Sequence, residues 1–231
     1  MTVKAVLFGS LSSLTNLADI ERRAFNRTFE QYDIPVRWTR ADYDRLLRSK
    51  GRFSGPMMAV SDLGGLDEST FYPDLELHLR DLIDEVRLTP NQWTRDALVA
   101  ARRKGLKIAL VTGAERQTVL RVLAALYQGR ASCMFDLVTS SEMSAAPKPD
   151  PNLYEIALST LGVGAGNALA IEPTQHGVLA AQAAGIRTGA FRSSTSDAEQ
   201  LSHADFELGE TLLKTIGRFL ASKPSQGGAA A

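Results

Sequence analysis

The second half of the chain alternates between short apolar runs and helical patterns, and this alternation limits the fold more than any other feature. Strands separated by helices of this length form right-handed βαβ units, and these units assemble into a parallel sheet with helices on both faces. We therefore predict an α/β, Rossmann-like fold. The predicted strands are 3–8, 106–111, 135–138, 168–171, 187–191 and 206–208, and the predicted helices are 92–104, 115–126, 150–161, 174–184 and 210–221.

A long segment without any strand signal separates the first strand from the rest. Apolar residues recur at helical spacing in four stretches of this segment, with Gly or Pro between them. The pattern predicts an all-helical insert at 17–88 within an α/β core formed by 1–16 and 89–221. The Gly/Ala-rich end, 222–231, is predicted to be a disordered tail. The four helical stretches are 19–33, 41–48, 56–62 and 67–86.

Charge and cysteine content exclude several classes of partner. The chain has 26 basic and 26 acidic residues, so no global charge favours nucleic acid or an acidic membrane. No apolar run reaches the roughly 18 residues that a membrane helix needs. The single cysteine, Cys133, rules out an intrachain disulfide and is typical of a reducing compartment, so we expect a cytoplasmic protein. Nothing in the sequence identifies a protein partner or an oligomeric state.

A site is expected beyond the carboxyl ends of the strands, where open parallel sheets bind ligands. The helical insert leaves the sheet directly after the first of these ends, so it is placed to cover the site as a cap. Four segments occupy this edge: 9–13, 112–113, 146–149 and 172–174.

These segments resemble the haloacid dehalogenase-like (HAD) superfamily, in the branch with a helical cap after the first strand. Leu110 to Gly113, Lys148 to Tyr154 and Gly177 to Gly185 are similar to its later motifs. The cap run Arg23 to Arg27, with Trp38 and the pair Leu46-Leu47, resembles the CbbY-like sugar-bisphosphate phosphatases and, more loosely, β-phosphoglucomutase. The resemblance spans about residues 3 to 220 and implies a HAD core with an inserted cap.

The resemblance also implies a chemistry that this chain does not support. The family transfers a phosphoryl group to a first-strand aspartate, uses a second aspartate as acid/base, and holds Mg²⁺ with an acidic pair after the fourth strand. Here Gly9 and Leu11 take the positions of the two aspartates, and Pro173 follows Glu172 where the second acid belongs. Glycine cannot attack and leucine cannot carry a proton. We therefore predict no catalytic residues, no metal ligand set and loss of Mg²⁺-dependent phosphoryl transfer.

Part of the site matches the family and could still bind an anion. Lys148 allows two interpretations: a salt bridge with the remaining acid Glu172, or an anion site. In the second case the ligand would be a small phosphorylated metabolite or an inorganic anion, and no cofactor is expected. The predicted anion-binding remnants are Ser10, Ser12, Ser13, Thr112, Gly113 and Lys148.

Three alternatives for the role stay open at this point: an active hydrolase or mutase with an atypical mechanism, a phosphometabolite sensor, and a structural or partner-binding protein. Other signals have simpler explanations. The serines lack a Gly-x-Ser-x-Gly elbow, and 162–166 is a helix-to-strand turn rather than a dinucleotide loop. His176 is expected to be a solvated helix-terminus residue. Arg45, Arg48, Lys50 and Arg52 are expected on a solvated face, and Leu79, Leu82, Ile83 and Val86 between cap helices.

Overall fold

The computed structural model describes residues 2–50, 54–62, 64, 66–128, 131–191 and 204–208. Six strands form one sheet in the order β3-β2-β1-β4-β5-β6, and every neighbouring pair is parallel. The predicted α/β class is confirmed, with β1 in the interior of the sheet. The strands are β1 (Ala5–Gly9), β2 (Lys107–Val111), β3 (Leu137–Val138), β4 (Ala168–Glu172), β5 (Arg187–Phe191) and β6 (Phe206–Leu208).

The described helices agree with the predicted ones to within one or two residues at each end, which is the usual uncertainty of a helix boundary. The four-residue helix α7 was not predicted. The predicted helix 210–221 and tail 222–231 lie outside the described residues. The insert contains α1 (Ala18–Gln31), α2 (Arg40–Lys50), α3 (Ser54–Ser61) and α4 (Glu68–Glu85), and the core contains α5 (Gln92–Arg103), α6 (Arg116–Tyr127), α7 (Ala131–Met134), α8 (Asn152–Leu161) and α9 (Gln175–Ala183).

The central strand is buried along its whole length and supplies both faces of the core. Because successive strand residues point to opposite faces, Val6 and Phe8 pack with α5 and α6, whereas Ala5 and Leu7 pack with α8 and α9. Burial on both faces explains why the strand is a continuous apolar run. It also holds the carboxyl end at Gly9 in a fixed place.

The cap has its own aromatic core and is also packed on the α/β part. Leu79, Leu82 and Ile83 belong to the cluster that contains Val119 and Val122 of α6, so the prediction that they pack between cap helices is incomplete. The reason is that α4 lies against α1 and α6 at once. Within the described residues, no helix is long and apolar enough to cross a membrane. The aromatic core consists of Phe25, Phe29, Trp38, Tyr43 and Phe71.

The two chain crossings between cap and core are tied together by hydrogen bonds. The Thr15 hydroxyl donates to the Thr89 carbonyl over 2.8 Å, and the Asn91 N–H donates to the Leu14 carbonyl over 2.7 Å. These bonds keep the entry to the cap directly beside the end of β1.

Candidate active site

The carboxyl ends of β1, β2 and β4 bring the predicted remnants together. The Ser10 N–H donates to the Val111 carbonyl over 2.9 Å, and Lys148 Nζ donates to the same carbonyl over 3.0 Å. Phe8 pairs with Ile171 in the sheet, so the next residues, Gly9 and Glu172, end up side by side. The structure therefore places Lys148 and Glu172 where the family has its reacting centre.

Glu172 is fully buried and points toward the end of β1. Its Oε1 accepts hydrogen bonds from Lys148 Nζ and from the Tyr154 hydroxyl, each over 2.5 Å. Its Oε2 accepts a longer bond, 3.3 Å, from the Thr174 hydroxyl. Of the two interpretations of Lys148, the salt bridge is the one that the structure contains. A buried carboxylate needs such donors, because without them its desolvation would be too costly.

Two glycines make room for this carboxylate. A β-carbon built on Gly9 would lie well under 3.0 Å from the carboxylate atoms of Glu172, and so would one built on Gly177. Real β-carbons essentially never approach other atoms so closely. The Glu172 carboxylate therefore fills the volume in which a side chain at position 9 would have to begin.

Tyr154 is a site residue that sequence reasoning missed. It lies on α8, its side chain is fully buried, and Lys148 Nζ sits 4.8 Å from the centre of its ring. Burial, together with the nearby Glu172 charge, raises the pKa of Tyr154 well above its usual value, so the hydroxyl stays a donor. The available signal was a tyrosine in an otherwise apolar helix stripe, since a buried tyrosine hydroxyl usually finds a partner.

The serine hydroxyls of the loop after β1 form hydrogen bonds within the loop. The Ser10 and Ser12 hydroxyls are 2.6 Å apart, and the Ser13 hydroxyl donates to the Ser10 carbonyl over 2.9 Å. Ser10 has a φ of 54°, a value uncommon for a residue with a β-carbon. Leu11 is buried in the main hydrophobic cluster. Its position, which belongs to the acid/base in the family, thus supplies packing instead of a proton carrier.

The second strand end contributes Thr112 and Gly113. Thr112 is buried, its N–H donates to the Thr139 hydroxyl over 2.9 Å, and its own hydroxyl oxygen accepts from the Ala114 N–H. Gly113 is exposed. At the start of α6 the Glu142 carboxylate accepts from the Arg116 N–H over 3.0 Å. This bond, with further donors from the same loop, lowers the pKa of Glu142 to about 2.

The donor set around Glu172 does not fit the divalent metal that the family resemblance implies. Mg²⁺ prefers an octahedron of oxygen ligands, including one or two carboxylates. The Glu172 carboxylate is already bound to an ammonium group, and Gly9, Leu11 and Pro173 bring no side-chain oxygen. Across the described ranges, no group of three or more His, Cys, Asp or Glu residues is arranged to hold a metal ion.

The family model described as "Haloacid dehalogenase-like hydrolase" matches residues 13–191. The chain belongs to this family. The match begins after Gly9 and Leu11, so it covers the body of the fold and not the segment in which family members have their two aspartates. Membership of the family therefore does not depend on positions 9 and 11.

Relatives within the family share most of their length with this chain. Protein CbbY of Rhodobacter capsulatus is 28% identical over 214 residues, which cover 90% of this chain and 93% of the relative. The crystal structure of CbbY from Rhodobacter sphaeroides in complex with phosphate has a TM-score of 0.78 at 26% identity, covering 90% and 94% of the two chains. A mutant of that protein in complex with xylulose-(1,5)bisphosphate gives a TM-score of 0.77 at 26% identity and the same coverage. The chain therefore resembles CbbY-type proteins of the family.

The remaining predicted features have simple structural settings. Arg45 has 73% of its side chain exposed and pairs with Asp42, as expected for a solvated face. The side chains of Arg48 and Lys50, and all of Arg52, lie outside the described part. Gly162 ends α8 in the left-handed conformation, which confirms a helix-to-strand turn. His176 lies in the first turn of α9.

Proposed function

We propose that this chain is a non-catalytic member of the CbbY-like branch and that it has a structural or regulatory role. The observation that carries the proposal is the position of Glu172. Its buried carboxylate fills the space beside Gly9 in which a nucleophilic side chain would have to lie. Gly9 itself offers no attacking atom, and the position of Leu11 is used for core packing.

The arrangement removes several contributions to phosphoryl transfer at once. Nucleophilic and general acid–base catalysis each accelerate reactions by orders of magnitude, and both require groups that positions 9 and 11 lack. A metal would have to compete with Lys148 for the Glu172 carboxylate. We therefore also propose that the protein does not require Mg²⁺. Because Lys148 is paired with Glu172, a structural or regulatory role is favoured over metabolite sensing. A cytoplasmic location stays a prediction from the cysteine count.

Assays with Mg²⁺ on p-nitrophenyl phosphate, xylulose-1,5-bisphosphate and a panel of sugar phosphates would test the proposal. The expected result is a rate no higher than that of the Lys148→Ala variant. Contaminating phosphatase would contribute equally to both preparations, so the variant separates it from intrinsic activity. Turnover that the substitution abolishes would refute the proposal. A CbbY protein assayed in parallel shows that the substrates and the metal are competent.

One observation favours a second candidate, an active hydrolase with an atypical nucleophile. An acid does lie beside Gly9, with a cationic group, Lys148, next to it. Against this candidate, Glu172 is fully buried, and both of its oxygens accept hydrogen bonds that would have to break before attack. Incubation with a phosphoryl donor followed by mass spectrometry would detect an acyl phosphate, a gain of about 80 Da. A modified peptide containing Glu172 that is missing from Glu172→Gln would establish this route.

A further inference from the structure

Lys148 is the only predicted cationic remnant of the site, and its charge is already matched from within the chain. We propose that the Glu172 carboxylate is a built-in anion that keeps phosphorylated ligands out of this site. The inference rests on the proposed function, because a catalytic site would have to leave Lys148 accessible to its substrate. The inference goes further than the proposed function, because it states that the site also fails to bind a phosphate group while Lys148 is paired with Glu172.

The contacts of Lys148 leave little room for a second anion. Its Nζ already donates to the Glu172 carboxylate and to the Val111 carbonyl, and only 12% of its side chain is exposed. A phosphate arriving at this ammonium group would have to share it with a fully buried carboxylate. Two like charges this close in a poorly solvated place repel strongly. Binding would therefore require the Glu172 carboxylate to leave the space between Gly9 and Gly177, which we call its cradle.

Leaving the cradle is unfavourable because every part of it is adapted to the carboxylate. Gly9 and Gly177 provide the space, and Tyr154 and Thr174 provide donors in addition to Lys148. Displacing Glu172 would break these bonds and leave a void between the two glycines. The internal anion has no translational freedom to lose, so a free ligand competes at a disadvantage.

Removing the Glu172 carboxylate should allow the site to bind an added anion. In Glu172→Ala the ammonium of Lys148 loses its partner beside a vacated volume, which suits a small oxyanion. A ligand that binds only the folded state raises its stability in proportion to RT ln(1 + [L]/Kd). Externally added anion should thus stabilise the variant although it leaves the unaltered protein unchanged.

The test is thermal unfolding of the full chain with increasing inorganic phosphate, at constant ionic strength maintained with chloride. We expect no shift in Tm for the unaltered protein and a rise of several degrees for Glu172→Ala. The double variant Lys148→Met/Glu172→Ala, which lacks the ammonium, should not respond. A second series with acetate, which has about the size of the deleted group, should rank the Tm shifts of the three proteins in the same order. If Glu172→Ala does not fold, Glu172→Ser is the second variant, because it also removes the charge and vacates most of the volume of the carboxylate.

Each result bears on the inference. A phosphate-dependent rise in the unaltered protein as large as that of the Glu172 variants would contradict the exclusion of anions. Equal behaviour of the single and double variants would show that Lys148 is not the anion-binding group. Neither result restores a nucleophile, so both leave the absence of turnover intact, and the assays of the proposed function decide that point separately.

Discussion

The Tyr154 hydroxyl donates to Glu172 Oε1 over 2.5 Å, and neither side chain reaches solvent. The same oxygen accepts from Lys148, so one buried atom joins α8, the end of β4 and the loop that carries the lysine. In an enzyme of this family the corresponding region must stay open to substrate. Here these bonds occupy both the lysine and the carboxylate, and their contribution to folding can be measured.

Replacing Tyr154 by Phe removes one donor from a buried carboxylate. We expect the free energy of unfolding to fall by about 1.5–3 kcal/mol, the range for hydrogen bonds to charged groups. Urea-induced unfolding at pH 7 would measure the change.

Tyr127→Phe is the matched control. The Tyr127 hydroxyl is buried, it finds no hydrogen-bond partner within the described residues, and burial raises its pKa to about 12. Its removal should be neutral or stabilising, because a buried hydroxyl without a partner is unfavourable. Equal losses for both variants would mean that the Tyr154–Glu172 bond contributes nothing specific.

Adding a single methyl group at either glycine of the cradle tests the space around Glu172. Gly9→Ala and Gly177→Ala should each lower the free energy of unfolding by about 1–3 kcal/mol, the usual cost of overpacking. The result for Gly177 is the more telling, because alanine is favoured over glycine inside a helix by about 1 kcal/mol. Thermal or urea unfolding would measure both variants.

Gly164→Ala serves as the comparison for these two variants. Among the described residues, no atom beyond the two chain neighbours lies within 4 Å of a β-carbon built at Gly164, so the substitution should change the stability little. A Gly9→Ala protein as stable as the Gly164→Ala protein would show that the Glu172 carboxylate does not occupy the cradle in solution.

Much of this site was accessible from the sequence because parallel strands bring their carboxyl ends to one edge. That rule placed Gly9, Thr112, Lys148 and Glu172 together, and it included the salt bridge among the alternatives. Charge alone could not decide between the alternatives, since a lysine beside one carboxylate can pair with it or attract a ligand. The decision came from the direction of the Glu172 side chain.

That direction depends on residues far apart in the chain. Gly177 opens the cradle from α9, Gly9 opens it from β1, and Tyr154 supplies a donor from α8. No local periodicity links these three positions, so no pattern in one segment predicts their joint effect. The unpredicted helix α7 has a different explanation, because its four residues are too few to display a helical period.

Removing either partner of the buried Lys148–Glu172 pair should lower the free energy of unfolding, but by unequal amounts. Lys148→Met leaves a fully buried carboxylate with a weaker set of donors, and we expect a loss of about 3–5 kcal/mol. Glu172→Gln leaves an ammonium group that retains some solvent contact, so its loss should be smaller. The double variant should lose clearly less than the sum of the two single losses, as a double-mutant cycle in urea would show.

An exposed ion pair provides the reference for the stability loss in the buried pair. Arg27 and Glu85 form a bidentate pair on the surface of the cap, and Arg27→Met should cost under about 1 kcal/mol. If Lys148→Met costs no more than Arg27→Met, the buried pair is not a stabilising element of the fold.

Glu76 connects stability with pH through the contact between cap and core. Its Oε2 accepts from the Thr118 hydroxyl over 2.6 Å. Burial is the main cause that raises the pKa of Glu76; the Thr118 hydrogen bond and Arg80 oppose this shift, and Glu115 and Glu21 add to it. A carboxyl group with a raised pKa in the folded state contributes stability below its unfolded pKa, and this contribution is lost as the pH rises through the folded pKa. Glu76→Gln keeps an acceptor for Thr118 and cannot ionise. It should therefore gain stability over the unaltered protein between pH 4 and pH 7 in urea unfolding.

Glu85→Gln, on the same helix, should change stability in the opposite direction. Hydrogen bonds from Arg27 are the main cause that lowers the pKa of Glu85, so its contribution is present above the unfolded pKa and is lost as the pH falls through the folded one. Its substitution should cost stability at pH 7, and the cost should shrink toward pH 3. The two carboxylates differ in burial and partners although both lie on α4. Parallel pH profiles for the two variants would therefore contradict the assignment of burial to one and ion pairing to the other.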